Sequence, residues 1–402
     1  MVLALSALFA LGCGSEPADR VDVGVPDSLR LPVHLVAEIG ETRSGRDYEF
    51  AAINDVLVTR GGEVWVSDGG RARVVQGAEP MVRIYSPSGE FVRRVGREGA
   101  GPGEYRIPSG MAELPDGRVI VRDGELADRL TLYRNDGRLD DIWTLDSRRT
   151  WVTGSAPGAI LADSSGVVYL KDSNRRRPGQ LRAIWLLRIK EGATLDSIRI
   201  PVPSRPTEDD VAWVRREACE NSVGFPFGPF EATVWSAGRF ARACTGEYRI
   251  GIVPIEAAGK PWPDTLVIER PAEPVLMQPE VHAQTMEEFA KMLGLERSPT
   301  LPREKPILRP GGMWFGHDGS MVVGVHMPSV RTDDGWTEPW GYDLFSADGA
   351  YQGRFVLPEE FMRRGLRGDL VWGIIRDEFG VHTVRVYRIS KMDHGGSGAE
   401  EG

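Results

Sequence analysis

The sequence predicts an all-β fold: a six-bladed β-propeller with four-stranded blades. Three observations carry that prediction. A hairpin unit recurs along the chain with a period near 50 residues, the unit has four strand-like segments, and glycine (48) and proline (28) are abundant. Short alternating or apolar runs punctuated by glycine turns read as strands, and a repeat of that length with four strands reads as a propeller blade. In the first three units a turn glycine (Gly62, Gly117, Gly166) is followed six residues later by an aspartate (Asp68, Asp123, Asp172) that closes the second strand. The glycines lie 55 and 49 residues apart. One closed propeller can occupy all 402 residues, which would otherwise suggest two or three domains.

The later units are looser. The fourth runs FEATVWSAGRFARACTGEYRIGIVPI, with Gly238 at the turn and Cys244 in the aspartate register. The fifth is GGMWFGHDGSMVVGVHM followed by WGYDLFSADGAYQGRFVL. The sixth is DLVWGIIRDEFGVHTVRVYRI, where Asp377 ends IIRD as Asp123 ends VIVRD. Gly238 and Gly319 are 81 residues apart, longer than one blade. Within that excess Met286, Phe289, Met292 and Leu293 recur at helical spacing, so residues 279–308 are expected to be a helical insertion between blades 4 and 5. A seventh blade is the alternative. The sixth unit lacks an outer strand, whereas LPVHLVAEIG (31–40) reads as a lone strand. Pairing the two would close the ring and remove the dangling sheet edge.

The predicted organisation is therefore residues 1–13 as a signal peptide, 14–30 as a polar tether, 31–392 as one propeller and 393–402 as a disordered tail. Residues 2–12, VLALSALFALG, are too short to span a bilayer but suit the apolar part of a signal peptide. The segment ALGCGS resembles a bacterial lipobox, which implies lipid attachment at Cys13. Ala10 stands where leucine is usual, and no Lys or Arg precedes the apolar run. A secretory signal with an incidental cysteine is the alternative. Gly14, rather than aspartate, after the cysteine points to the outer membrane, facing the periplasm or the surface. If Cys13 carries lipid, Cys219 and Cys244 remain as an even pair. In an oxidising envelope they could form a disulfide whose loop of 25 residues contributes about 3 kcal/mol; two free buried thiols are the alternative.

Residues 53–145 resemble NHL-type repeats. The features that carry the likeness are VRIYSPSGEF, then GREGAGPGEYRIPSGMAELPDGRVIVRDG, with its glycine-rich linker, a proline opening the blade, a DG turn and a strand ending in Asp. The resemblance implies the six-bladed, TolB-like superfamily, an architecture that hosts sensors, lyases, lactonases and binding scaffolds.

The net charge of −9 argues against a nucleic-acid partner. Gly96, Gly99, Gly101 and Gly103 could suggest a phosphate loop, but a strand rather than a helix follows, so a blade-to-blade linker is expected. Asp68, Asp123, Asp172 and Asp377 could form a carboxylate ring at one rim, with His326 one residue past the same register. A residue repeated in every blade is more simply structural, each aspartate bonding backbone amides of its own loop. No histidine spacing marks a metal site, and no cofactor is expected. Trp213, Phe225, Phe227, Trp336 and Trp340 lie in irregular segments. They are expected either to form a partner surface over one mouth of the channel or to pack the insertions. The reading is a lipid-anchored module of the cell envelope that binds a protein, peptide or glycan, touching membrane only through its lipid. A metal-dependent hydrolase or lyase at the channel mouth is the alternative.

Overall fold

A computed structural model describes residues 19–22, 30–40, 43, 45–69, 79–124, 129–145, 160–172, 183–201, 229–258, 264–293, 302–332, 335–358 and 360–390. Six four-stranded antiparallel sheets follow one another around a ring. From the centre outward, blade 1 comprises Ile53–Val58, Val64–Asp68, Met81–Tyr85 and Phe91–Val95. Blade 2 comprises Pro108–Glu113, Val119–Asp123, Arg129–Tyr133 and Leu139–Thr144. Blade 3 comprises Ile160–Ala162, Val168–Asp172, Ala183–Lys190 and Ala193–Pro201. Blade 4 comprises Glu231–Ser236, Arg239–Cys244, Arg249–Pro254 and Leu266–Glu269. Blade 5 comprises Leu308–Phe315, Met321–His326, Trp340–Phe345 and Tyr351–Leu357.

Blade 6 takes Met362–Arg367, Leu370–Arg376 and His382–Ile389 from the C-terminal part of the chain. Its outermost strand is Val33–Ile39, antiparallel to His382–Ile389, with Val33 opposite Ile389 and Ile39 opposite Val384. The expected ring closure is thus present. The segment also reaches both neighbours of blade 6. Leu31 donates its amide to the Arg354 carbonyl of blade 5, while Ile39 packs at the Gly89 turn of blade 1.

The repeat arises from turn chemistry. Gly62, Gly117, Gly166, Gly238 and Gly319 sit between first and second strands with φ of +85°, +87°, +80°, +90° and +84°. Glycine occupies that left-handed region without the Cβ penalty other residues meet, which fixes the hairpin register. The blades then pack face to face through the Val, Ile, Leu and aromatic side chains of their middle strands, in a run of buried clusters around the ring.

Among its described residues, the 81-residue interval holds one α-helix, α1 (Pro279–Leu293), which buries Phe289 and Ala290, while Met286 is half-buried. Proline at its first position loses no hydrogen bond there. The glycine-rich segment after blade 1 forms a two-residue parallel ladder, Arg97–Glu98 with Glu104–Tyr105, and leads directly into blade 2. Within the segment expected as a tether, Asp19–Asp22 pair in parallel with Leu266–Glu269 as a fifth strand on blade 4. Among the described residues, no helix is long and apolar enough to cross a membrane.

Candidate functional site

The innermost strands enclose a channel of about 990 Å³, a volume at the upper end of the range for small-molecule sites. Its wall is built by residues far apart in sequence. Asp55 comes from blade 1, Met111 from blade 2, Ile160 and Lys171 from blade 3, Trp235 from blade 4, Trp314 from blade 5, and Arg363 and Arg364 from blade 6.

Two irregular strands aim these side chains. The register of Met362–Arg367 shifts between Arg363 and Gly365, so Arg364 is the extra residue of a β-bulge. Bulges re-aim side chains in this way. Gly365 follows because a Cβ there would lie 2.3 Å from the Trp372 ring. The indole of Trp372 is fully buried, donates 2.8 Å to the Val56 carbonyl of blade 1 and stacks on His317 of blade 5 at 5.3 Å. A second shift lies between Ile53 and Asp55, and Asn54 there donates 2.8 Å to the Pro108 carbonyl of blade 2.

The charges on the wall fall into two groups. Near the turns between first and second strands, several charged side chains are occupied. Asp163 accepts from the Ser165 and Val167 amides and the Tyr169 hydroxyl. Asp318 accepts from Ser320 and the Gly368 amide. Arg239 donates to the Gly319 and Ala347 carbonyls. Glu113 joins the Arg60 amide to the Arg367 guanidinium, at 3.0 and 2.5 Å.

Toward the other end, Asp55 accepts 2.9 Å bonds from the Met111 and Val56 amides. Burial pushes its carboxyl up from 3.8 to about 6, against the pull of the Met111 amide, the Arg364 charge and the Val56 amide. Over that window the folded chain keeps a proton that the unfolded chain has released. The native state therefore gains from this group below about pH 4 and loses the gain as pH rises through 6. The difference between 3.8 and about 6 corresponds to about 3 kcal/mol. Denaturant titrations of the parent and Asp55→Asn should accordingly diverge in the variant's favour by about that amount between pH 4 and pH 7. A stability difference that does not change with pH would refute the assignment.

Two of the rim aspartates, Asp68 and Asp123, are latched to backbone amides. Asp68 is buried and accepts from the Ala51 and Ala52 amides at 3.3 and 2.8 Å and from Arg83 at 2.7 Å. Asp123 is equally buried and accepts from the Arg106 and Ile107 amides at 2.7 and 3.3 Å. Each latches the segment entering its blade's innermost strand, 16 to 17 residues upstream, rather than its own loop. Asp172 ends its strand opposite Trp185, and its side chain lies outside the described residues.

Asp377 requires a correction. The residue six after Gly368 is Ile374, and exposed Asp377 instead caps the following turn by accepting from the Val381 amide at 2.7 Å. The pair R-D recurs at Arg122-Asp123 and Arg376-Asp377, but a longer second strand places the later copy beyond the register. Among the described residues, no group of three or more His, Cys, Asp or Glu is placed to hold a metal ion.

His326 ends the second strand of blade 5, opposite Trp340. Burial, with Arg309 and Lys305 nearby, pushes it down to about 3, so it is neutral at pH 7. Trp340 is part of the channel wall and is stacked by Arg309 at 3.7 Å. Trp336 is half-buried in the hairpin Val330–Thr332 and Gly335–Thr337, with Arg331 5.5 Å over its ring. Cys244 is disulfide-bonded and stands where blades 1–3 carry aspartate. Cys13, Cys219, Trp213, Phe225 and Phe227 lie outside the described residues. Asp55, Lys171, Arg363 and Arg364 escaped sequence reasoning, because nothing in IND, YLKD or MRRG distinguishes them from ordinary strand residues.

No family model matches the chain, and no curated protein matches it. Among solved structures, the chain is similar to a Bacteroides fragilis protein assigned as exported, at 10% identity and TM-score 0.44, covering 92% of this chain and 99% of that one. It is similar to a DUF4221-family protein of Bacteroides vulgatus at 10% identity and TM-score 0.41, covering 91% and 99%. A Bacteroides thetaiotaomicron protein of unknown function matches at 14% identity and TM-score 0.38, covering 90% and 77%.

Proposed function

We propose that this chain is an exported binding module of the cell envelope, a TolB-like propeller with NHL-type repeats held to the membrane by lipid on Cys13. Its ligand is a protein segment, peptide or glycan that seats in the central channel. The observation that supports this most is the channel itself: about 990 Å³ walled by aromatic, apolar and cationic side chains contributed by all six blades. Such convergence of charged, polar and apolar side chains on one concavity suits recognition. The hydrolase reading lacks comparable support, since the buried aspartates are occupied by backbone amides.

Export is supported by the apolar leader and the lipobox-like ALGCGS, and the disulfide at Cys244 fits an oxidising compartment. Peptide and glycan arrays probed with the purified chain should retain it, with the tryptophan emission of Trp314 and Trp340 changing on titration. Turnover of an ester or glycoside at the channel would instead favour the enzyme. In cell fractionation, Cys13→Ala should move the chain from the membrane to the soluble fraction. A variant that stays with the membrane refutes the lipid anchor.

A further inference from the structure

Three cations on the channel wall form no ion pair with any described residue. Lys171, Arg363 and Arg364 all line the cavity, and none forms an ion pair among the described residues. Arg364 has only a 3.5 Å bond to the Arg363 carbonyl, and its Nε is buried without a partner. Arg363 lies over the Trp314 ring at 4.3 Å and donates 2.7 Å to the Gly311 carbonyl. Lys171 comes from the second strand of blade 3, at the end where the innermost strand begins at Ile160.

The acidic groups nearby offset these charges only in part. Asp55 is near enough to Arg364 to interact through space, but it forms no ion pair with it, and its two oxygens accept from the amides of Val56 and Met111. Glu360 is exposed at the mouth and pairs with none of the three. Burial disfavours the charged form of all three cations. Uncompensated, partly buried charge is destabilising, and its retention beside an open cavity calls for a partner that arrives from solution. Lysine and arginine are donors only, so that partner is an acceptor carrying negative charge.

We propose that the channel binds an oxyanion ligand, a carboxylate- or phosphate-bearing small molecule or chain end, through Arg363 and Arg364 on the blade 6 wall, with Lys171 facing them from blade 3. The inference rests on the channel being the binding site and adds the chemical class of what enters it. Arg363 is stacked on an indole and bonded to the Gly311 carbonyl, so its guanidinium fork is held in place before the anion arrives, and the bulge sets the direction in which Arg364 leaves the strand.

The test uses the full chain, with citrate and inorganic phosphate as separate probes against glucose, in buffers matched for ionic strength with sodium chloride. Calorimetry should show citrate or phosphate binding one per chain and glucose not binding; whichever binds separates the carboxylate source from the phosphate source. Arg364→Gln and Lys171→Met should each weaken that binding about tenfold or more, whereas Arg97→Gln on the exposed linker should leave it unchanged.

A second readout separates a ligand role from a structural one. Without anion, Arg364→Gln and Lys171→Met should melt about 1–3 °C higher than the parent, because each removes an unpaired buried charge. Lower melting of both variants, or equal affinity of the parent and variants for the anion, overturns the proposal. So does an absence of binding by both anions. Glucose binding that is insensitive to these substitutions would overturn the anion class and leave the binding-module reading standing.

Discussion

A chain that begins at residue 41 should fail to form a cooperatively melting monomer. The deletion removes the strand Val33–Ile39 and with it six backbone pairings to His382–Ile389. It also removes Ile39, Ala37 and Leu31, which are 0%, 3% and 3% exposed, and the ion pair from Glu38 to Arg385. Losing two large buried aliphatic side chains alone costs about 4–8 kcal/mol. Typical domains have only about 5–15 kcal/mol in total. The half-buried pair Glu38–Arg385 adds little by comparison.

The deletion also leaves His382–Ile389 as an unpaired edge, a template for pairing between molecules. Size-exclusion chromatography and a circular-dichroism melt provide the measurement, with oligomers and a broad transition expected. Adding a peptide of residues 31–40 should restore part of the transition. A truncated monomer with the parental melt would show that closure by this strand is dispensable.

Asp343→Ala should cost about 3–5 kcal/mol, as expected when one partner of a buried ionic network is removed. Asp343 lies in the third strand of blade 5 and is fully buried. It accepts from Tyr248 at 2.7 Å, Arg270 at 2.8 Å, Arg354 at 2.7 and 3.1 Å, and Tyr351 at 3.3 Å. The net worth of such a network against an apolar core is small. The cost of breaking it is large because Arg270, 5% exposed in its side chain, would keep its charge without its carboxylate. Asp343→Asn should be nearly as damaging, since an amide presents two donors to a site already full of donors. In an Arg270→Met background Asp343→Ala should cost markedly less, and urea midpoints of the four chains give the coupling directly. Strict additivity would refute the account.

Much of the fold could be read from the chain because a blade is local. Gly62, Gly117 and Gly166 announce their turns through the left-handed backbone they adopt, and Asp68 and Asp123 follow at fixed distance as latches. The helix over residues 279–293 could be read from its apolar spacing. Asp377 misled because the letters I-R-D carry no register of their own, and only the length of the strand Leu370–Arg376 places them past the rim. Asp343 could have been suspected as a lone charge in the apolar run WGYDLF, but its four partners come from two blades.

The sequence by itself determined the blade repeat, the closing strand, the helical segment and the lipobox-like leader, and the structure settled six blades over seven. Turn conformation, strand alternation and helix periodicity are all set by residues within about 50 positions of one another. Only the tertiary structure decided which side chains meet at the axis. Lys171 and Arg364 are 193 residues apart, and they face one cavity because the blades close into a ring and a one-residue bulge turns Arg364 inward. The bulge leaves no mark in the local spacing of residues, and closure of the ring, legible in the lone strand 31–40, does not say which side chains it brings together.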